Sequence, residues 1–372
     1  MRIAGSPFCS ILCAGVLSLA LCNFAYADTR SSTLDPNADP RGNGDLVICS
    51  QNLENFGSYT DSKLRNPTLT PEGYREKERA LAQRMASKSC DVIGVQEVLG
   101  KDDETALAAM RELADTLRKM TNRFYEVKVG PTLDKMSHVG FLVAKDRAEV
   151  QSTLSFAKVE LPKISPEEKP RLFIRAPLEI QIRVKGSSDG SAKTVVLLNF
   201  HFKSRRGGSG DPAELEWETY RMAMAEGIRR ITELRHGKAL SSAETILVLL
   251  GDRNSNYDCA SAKILEGSLV LKNFQDGGSC RLSKRGVPLC QQGSTQPAEF
   301  FSVLTNDPQT KLLPGTQQYK EEFSWIDDIL MPSESLRTAW ARFDSPGDYE
   351  SGVVYKPKIA SDHAMVWVKL NW

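Results

Sequence analysis

The sequence predicts a layered α/β domain over residues 45–372. Three observations predict it: short apolar runs alternate with stretches of helical periodicity, most of those runs are apolar almost continuously, and no stretch of linker composition splits the region. A strand with one wet face alternates cleanly, so near-continuous runs mean sheets covered on both faces. With 372 residues, 41% hydrophobic and 26% charged, the chain is long enough for a large core.

Met1–Ala27 is set apart from this domain. It carries Arg2, the apolar run "ILCAGVLSLALC" and then "AYA" ahead of Asp28. That is the pattern of a secretory signal peptide cleaved after Ala27, so a secreted or periplasmic protein is expected. The apolar run is shorter than the roughly 20 residues of a membrane helix, and no later run is longer, so no transmembrane segment is expected in the mature chain. Residues 28–44 are polar and rich in Pro, Gly and Asp, the composition of a flexible leader. Lys and Arg number 48 against 47 Asp and Glu, and loss of Arg2 with the signal balances them. Balanced charge excludes the strongly basic footprint of a general nucleic-acid binder, though not a polyanion held by a local patch and a metal ion. A monomer is expected.

From residue 45 the expected strands are 46–52, 90–98, 124–130, 138–145, 173–184, 194–202, 245–252, 324–332 and 363–370. Helices fall between them. One opens at Thr70 as N-cap with Pro71 at the first helical position. A second, from Asp103, keeps Leu107, Met110, Leu113 and Leu117 on one face. A third opens with Asp211, Pro212 and Glu214 in capping-box spacing and runs to Arg235. Of the five cysteines beyond the signal, Cys49 and Cys90 lie in or beside apolar runs and read as small buried hydrophobes. Cys259, Cys280 and Cys290 lie in loop-like sequence, where one disulfide among the three is expected in an exported chain.

The strand ends carry the chemistry. "LVICSQN" ends at Asn52; "IGVQEV" carries Glu97; "LLNFHF" carries Asn199 and His201; "ILVLLGDRNSN" ends in Asp252 and Asn254; "WIDDIL" carries Asp327 and Asp328; and Asp362 and His363 open the last strand. Alone, Asp252 and Asn254 read equally as turn formers, Glu97 as a solvated strand end, and either histidine as a satisfied core residue. Asp327 and Asp328 resist that reading, because neighbours on a strand face opposite sides and one of them must point inward. In layered α/β folds the ends of central strands converge on a ligand crevice, which makes one shared site the simpler explanation. Carboxylates and carboxamides without a Cys/His pair at zinc spacing favour Mg²⁺ or Mn²⁺. Such ions serve phosphate chemistry, and a histidine beside a carboxylate suits the accompanying proton transfer.

These ordered motifs resemble the endonuclease/exonuclease/phosphatase superfamily over about residues 45–372. The resemblance implies a four-layered α/β sandwich with two mixed β-sheets packed face to face and helices outside. It implies Glu97 as principal metal ligand with Asn52 and Asp362, and Asn52, Asn199 and Arg175 toward the substrate phosphate. It places His201 at the scissile phosphate, Asp252 and Asn254 around the attacking water, and Asp327 as the partner of His363, the general base or acid. The implied protein is an exported metal-dependent phosphodiester hydrolase, with a DNA or RNA nuclease favoured because Lys203, Arg205 and Arg206 follow His201 directly. A phospholipid (sphingomyelinase-like) or inositol-phosphate substrate is the alternative, and a catalytically silent binding domain is the reading from another class. Arg253 departs from the family pattern and is expected either to add charge at the phosphate or to face solvent. His138 is a possible neighbour of the site.

Overall fold

The computed structural model describes residues 45–185, 193–207, 214–242, 244–295, 297–307, 310–340 and 350–371. The expected signal peptide, the leader and the Asp211–Pro212 helix start lie outside the described residues. Along the chain the strands are β1 (Leu46–Phe56), β2 (Val92–Leu99), β3 (Tyr125–Val129), β4 (Ser137–Ala144), β5 (Ala148–Ser155), β6 (Leu178–Val184), β7 (Thr194–His201), β8 (Thr245–Asp252), β9 (Phe300–Ser302), β10 (Gln317–Tyr319), β11 (Glu322–Ser324), β12 (Asp327–Pro332), β13 (Ser351–Val354) and β14 (Met365–Leu370). Two six-stranded sheets result, in the orders β13-β14-β1-β2-β4-β3 and β5-β6-β7-β8-β12-β9, with β10-β11 as a separate hairpin. Both sheets are mixed: β1 runs parallel to β2, and β7 to β8, while the other pairs are antiparallel.

Side-chain alternation explains the continuous apolar runs. In β8, Ile246, Val248 and Leu250 enter the core between the sheets, while Leu247 and Leu249 enter the core under the outer helices. β1 divides in the same way, Leu46 and Ile48 inward, Val47 and Cys49 outward. Each strand is therefore apolar on both faces because each face has its own core. The helices Pro71–Ala86 and Asp103–Thr121 cover the first sheet, and Glu218–His236 covers the second, which makes four layers.

The helix starts follow their caps. Thr70 Oγ1 accepts from Gly73 N at 3.1 Å, and Asp102 with Thr105 forms a reciprocal capping box. Met110, Leu113 and Leu117 are buried as expected, but Leu107 is only half-buried and Ala106 takes its place against the sheet. The third helix begins at Glu218 after Trp217, with no side-chain cap, several residues beyond the expected start.

Two cysteine readings part ways. Cys280 and Cys290 form a disulfide, one of the three expected pairings, and leave Cys259 free. Cys49 and Cys90 are buried as expected but are bonded to each other, with Cα atoms 6.0 Å apart. That disulfide ties β1 to the residue before Asp91 and β2, beneath the helices.

The sheets also meet through polar groups. Gln96 Nε2, on β2, donates to Asn199 Oδ1, on β7, at 2.8 Å, and Asn199 Nδ2 donates back to the carbonyls of Val95 (3.0 Å) and Gly140 (2.8 Å). A Cβ at Gly94 would collide with Leu250 Cδ1, so the packing of Leu250 against β2 depends on that glycine. Asn199→Ala strands two buried carbonyls and an amide donor, and is expected to cost about 3 kcal/mol in urea unfolding.

Candidate active site

Register brings the polar strand ends together. In the second sheet His201 on β7 pairs with Asp252 on β8, and Asp252 pairs with Asp327 on β12. Cross-strand partners share a face, so the three stand in one row across the sheet. From the first sheet, Asn52 on β1 pairs with Gln96 on β2, and β2 bulges at the next residue. Glu97 sits in that bulge at φ 58°, a left-handed conformation that re-aims its side chain.

The contacts are short. Asn52 Nδ2 donates to Glu97 Oε1 at 3.2 Å and to Asp252 Oδ2 at 3.0 Å, joining the two sheets. Glu97 Oε2 accepts from the Asn55 backbone at 3.0 Å. His201 Nε2 lies 3.4 Å from Asp252 Oδ2 and 3.9 Å from Glu97 Oε1. Asn254 donates its backbone N–H to Asp252 Oδ1 at 2.7 Å and its amide to Oδ2 at 3.2 Å. His363 Nδ1 bonds both oxygens of Asp327, at 2.9 and 3.0 Å.

Burial sets the protonation states. His201 is held well below the ordinary imidazole value, first by burial and then by the charges of Arg175 and His363, so it is neutral. Burial also acts to lower His363, but Asp327 overrides it and raises the ring to about 10. Asp252 is pushed up to about 7, first by burial and then by the nearby charge of Asp327. Below that value, Asp252 holds a proton where a cation would serve equally well. Two three-residue groups place ligand atoms within 4.8 Å of one another: Glu97, His201 and Asp252, and Asp252, Asp327 and His363. The first group offers two carboxylates and one imidazole, mainly a hard oxygen donor set that fits Mg²⁺ or Mn²⁺. Asn52 meets it with the donor Nδ2, because its Oδ1 accepts from the Glu54 backbone at 2.9 Å. Asp362 belongs to neither group; its carboxylate accepts from Gln317 Nε2 at 3.1 Å and lies 3.9 Å from His363 Nε2.

No protein-family model matches the sequence, and neither does any curated protein. Among solved structures, the chain is similar to D. rerio TDP2 complexed with single strand DNA product, with a TM-score of 0.51 and 14% identity over 88% of this chain and 99% of that one. A humanized D. rerio TDP2 carrying 14 mutations matches with a TM-score of 0.50, at the same identity and coverage. The chain shares their fold. A further match, an endonuclease/exonuclease/phosphatase family protein from Bacteroides thetaiotaomicron, has a TM-score of 0.49 and 14% identity over 88% of this chain and 94% of that one. The two stacked six-stranded sheets with helices outside are the four-layered sandwich implied by the motifs.

Several residues take other places than expected. Asn199 does not reach the substrate side, because its amide is spent between the sheets. Arg175 is half-buried and bonded to Ser137 Oγ, the Phe202 carbonyl and Asp134, so it acts on His201 through its charge. His138 is a core histidine, its two nitrogens facing the carbonyls of Gly130 and Gly100. Arg253 meets neither phosphate nor solvent. It is 1% exposed, and its guanidinium bonds Asp328 (2.8 Å), Glu266 (3.2 Å) and the carbonyls of Ser255 and Trp325. Asp327 and Asp328 are accordingly both buried, on opposite faces, each with its own cation.

The motifs did not include two residues that hold the site from behind. Arg84, buried on the helix Pro71–Ala86, donates to the His363 carbonyl at 2.6 Å and to Gln51 Oε1 at 3.0 Å. Its signal was a charge among Ala80, Leu81 and Met85 on the apolar helix face. Thr316 Oγ1 accepts from the backbone of Ile326 and Asp327, fixing where β12 begins. Arg253→Met leaves Asp328 as an unpaired buried charge and is expected to cost about 3–5 kcal/mol in urea unfolding. Adding Asp328→Asn to that variant is expected to recover part of the loss.

Proposed function

We propose that this chain is an exported, Mg²⁺- or Mn²⁺-dependent phosphodiesterase that hydrolyses DNA or RNA. The observation that carries the reading is the Glu97–Asp252–His201 cluster standing beside the His363–Asp327 pair. Glu97, with Asp252 adjoining, would hold the cation, Asn52 fixes both carboxylates through its amide, and the ion would supply charge neutralisation at the phosphate. The remaining chemistry belongs to the chain. Neutral His201 donates from Nε2 to a phosphoryl oxygen, and the amide of Asn254 assists it. Asp252 orients the attacking water and accepts its proton. His363, with Nδ1 engaged by Asp327, presents a proton on Nε2 to the departing oxygen. Asp362 beside that nitrogen supports its charge.

The cations after His201 favour a nucleic acid. Lys203 Nζ sits 4.7 Å from the centre of the Trp217 ring, and Arg205 and Arg206 line the adjoining cleft. The neighbour from D. rerio is complexed with single strand DNA product, which is the substrate class proposed for this chain. Export rests on the Met1–Ala27 pattern, and two disulfides suit an oxidising compartment. No helix among the described residues is long and apolar enough to cross a membrane.

The purified chain is expected to cleave plasmid DNA or RNA with Mg²⁺ or Mn²⁺ and not in excess chelator, with sphingomyelin as the comparison substrate. Asp252→Ala and His363→Ala are each expected to lower kcat by about 10²–10⁴-fold. Full activity in chelator and in both variants overturns the reading.

A pH dependence follows from the raised values of Asp252 and His363. Without metal, their contributions to stability are greatest at low pH and are lost as pH rises through about 7 for Asp252 and about 10 for His363. A cation must displace the Asp252 proton, so Mn²⁺ is expected to raise the Tm more at pH 8 than at pH 5. Glu97→Gln with Asp252→Asn is expected to remove that difference.

A further inference from the structure

A cleft of about 190 Å³ opens beside Asn254, and Ser204, Arg205, Arg206, Gln317 and Tyr319 are among the residues that line it. We propose that this cleft binds the nucleotide next to the cleaved phosphate, with Arg206 meeting its phosphate and Tyr319 its base or sugar. The proposal rests on the phosphodiesterase reading and narrows its substrate to nucleic acid.

The cleft is joined to the candidate site at two points. Asn254 lines it while donating to Asp252 Oδ2 at 3.2 Å. Gln317 lines it while donating to Asp362 Oδ2 at 3.1 Å, and its backbone bridges to His363. A substrate with its scissile phosphate between His201 and His363 therefore extends into this space.

The two arginines have different parts. Arg205 is a strut: it bonds Ser324 Oγ (3.0 Å), Gln317 Oε1 (3.3 Å) and the Glu214 carboxylate (3.3 Å), so its charge is already answered. Arg206 is exposed, and no described carboxylate pairs with it. Its guanidinium carbon instead rests 4.6 Å from the centre of the Tyr319 ring, and Lys320 Nζ lies 5.6 Å from the same ring. A ring face holds a guanidinium in place without neutralising it, and the in-plane N–H groups stay open to an anion. Tyr319 itself remains 47% exposed.

A cation without a described carboxylate partner, fixed beside an aromatic ring and carboxamides, suits a phosphate carrying a planar heterocycle, and the Glu214 carboxylate that also lines the cleft is already paired with Arg205. The arrangement suits a choline lipid poorly, because that headgroup is itself a cation and a cleft of about 190 Å³ has no room for acyl chains. The small volume admits a single sugar or base.

Two readouts test the proposal. In the first, a fluorescent single-stranded DNA dodecamer is titrated with the chain in chelator, and anisotropy reports binding without catalysis. Arg206→Ala and Tyr319→Ala are each expected to weaken binding about tenfold, and Tyr319→Phe to keep it, with the salt slope falling by about one unit in Arg206→Ala. In the second, the Mn²⁺-supported kcat/KM of Arg206→Ala is expected to fall at least ten times further on the dodecamer than on methyl p-nitrophenyl phosphate, a diester with no neighbouring nucleotide.

Binding unaffected by Arg206→Ala and Tyr319→Ala, or kcat/KM falling equally on both substrates, overturns the proposal. Binding weakened by both substitutions, together with a wild-type chain that hydrolyses neither diester, sustains the cleft as a nucleotide site and overturns the phosphodiesterase reading instead.

Discussion

The meeting of the two sheets is the constraint on which the site depends, because neither sheet carries a complete set of groups. Glu97 and Asn52 come from the first sheet; His201, Asp252 and Asp327 come from the second. Apolar packing alone would hold the layers together but would tolerate a slide between them. The buried carboxamides do not. Gln96 donates to Asn199 across the layer, Asn199 donates to the Val95 and Gly140 carbonyls, and Asn52 bonds carboxylates on both sides of it. A slide would leave several of these groups unpaired in a dry interior, at a cost far above that of a loosened methyl contact.

Once the sheets are placed, three buried carboxylates lie on two neighbouring strands and must be answered separately. Asp328 has Arg253 on one face of the second sheet, and Asp327 has His363 on the other. Asp252 accepts hydrogen bonds only from amide groups, those of Asn52 and Asn254, and lies near the charge of Asp327. Of the three, its negative charge is the one with no cation of its own among the described residues, since the nearby His363 is bonded to Asp327. The raised proton affinity of Asp252 and its suitability for a metal ion are two consequences of that single imbalance.

Much of this was legible because strand ends are where near-continuous apolar runs stop and chemistry starts. The runs at 245–252 and 194–202 located β8 and β7, and their terminal polar residues located half of the site. What stayed hidden depended on facts that the pattern does not carry. Asn199 and His201 share a face of β7, yet depth separates them: the first lies under the Val95 carbonyl and the second at the open end. Arg253 reads as a surface charge, because its partners Asp328 and Glu266 lie far off in the chain or on another element. The Cys49–Cys90 disulfide was hidden for a similar reason, since parallel pairing of β1 with β2 juxtaposes residues 41 apart. β5 gave no signal because it is a mostly exposed edge strand of polar residues.

The backbone shows how a sheet of regular strands can deliver side chains to a point. Glu54, Asn55, Glu97 and Asn254 all adopt positive φ, and all lie at or beside the site. Gly251, at φ 146°, passes against Phe200 where a Cβ would collide with its carbonyl oxygen. In a regular strand Glu97 would point opposite to Gln96; the bulge turns it toward Asn52 instead. Such conformations cost roughly 1–3 kcal/mol each and persist only where the surroundings over-determine them. Here the surroundings do: Glu97 is held through both oxygens, by the Asn52 amide and the Asn55 backbone, and Asn254 through its backbone and its side chain. The strain and the hydrogen bonds therefore concern the same residues, and the polar clamp that fixes the sheets also keeps the strand ends bent toward the site.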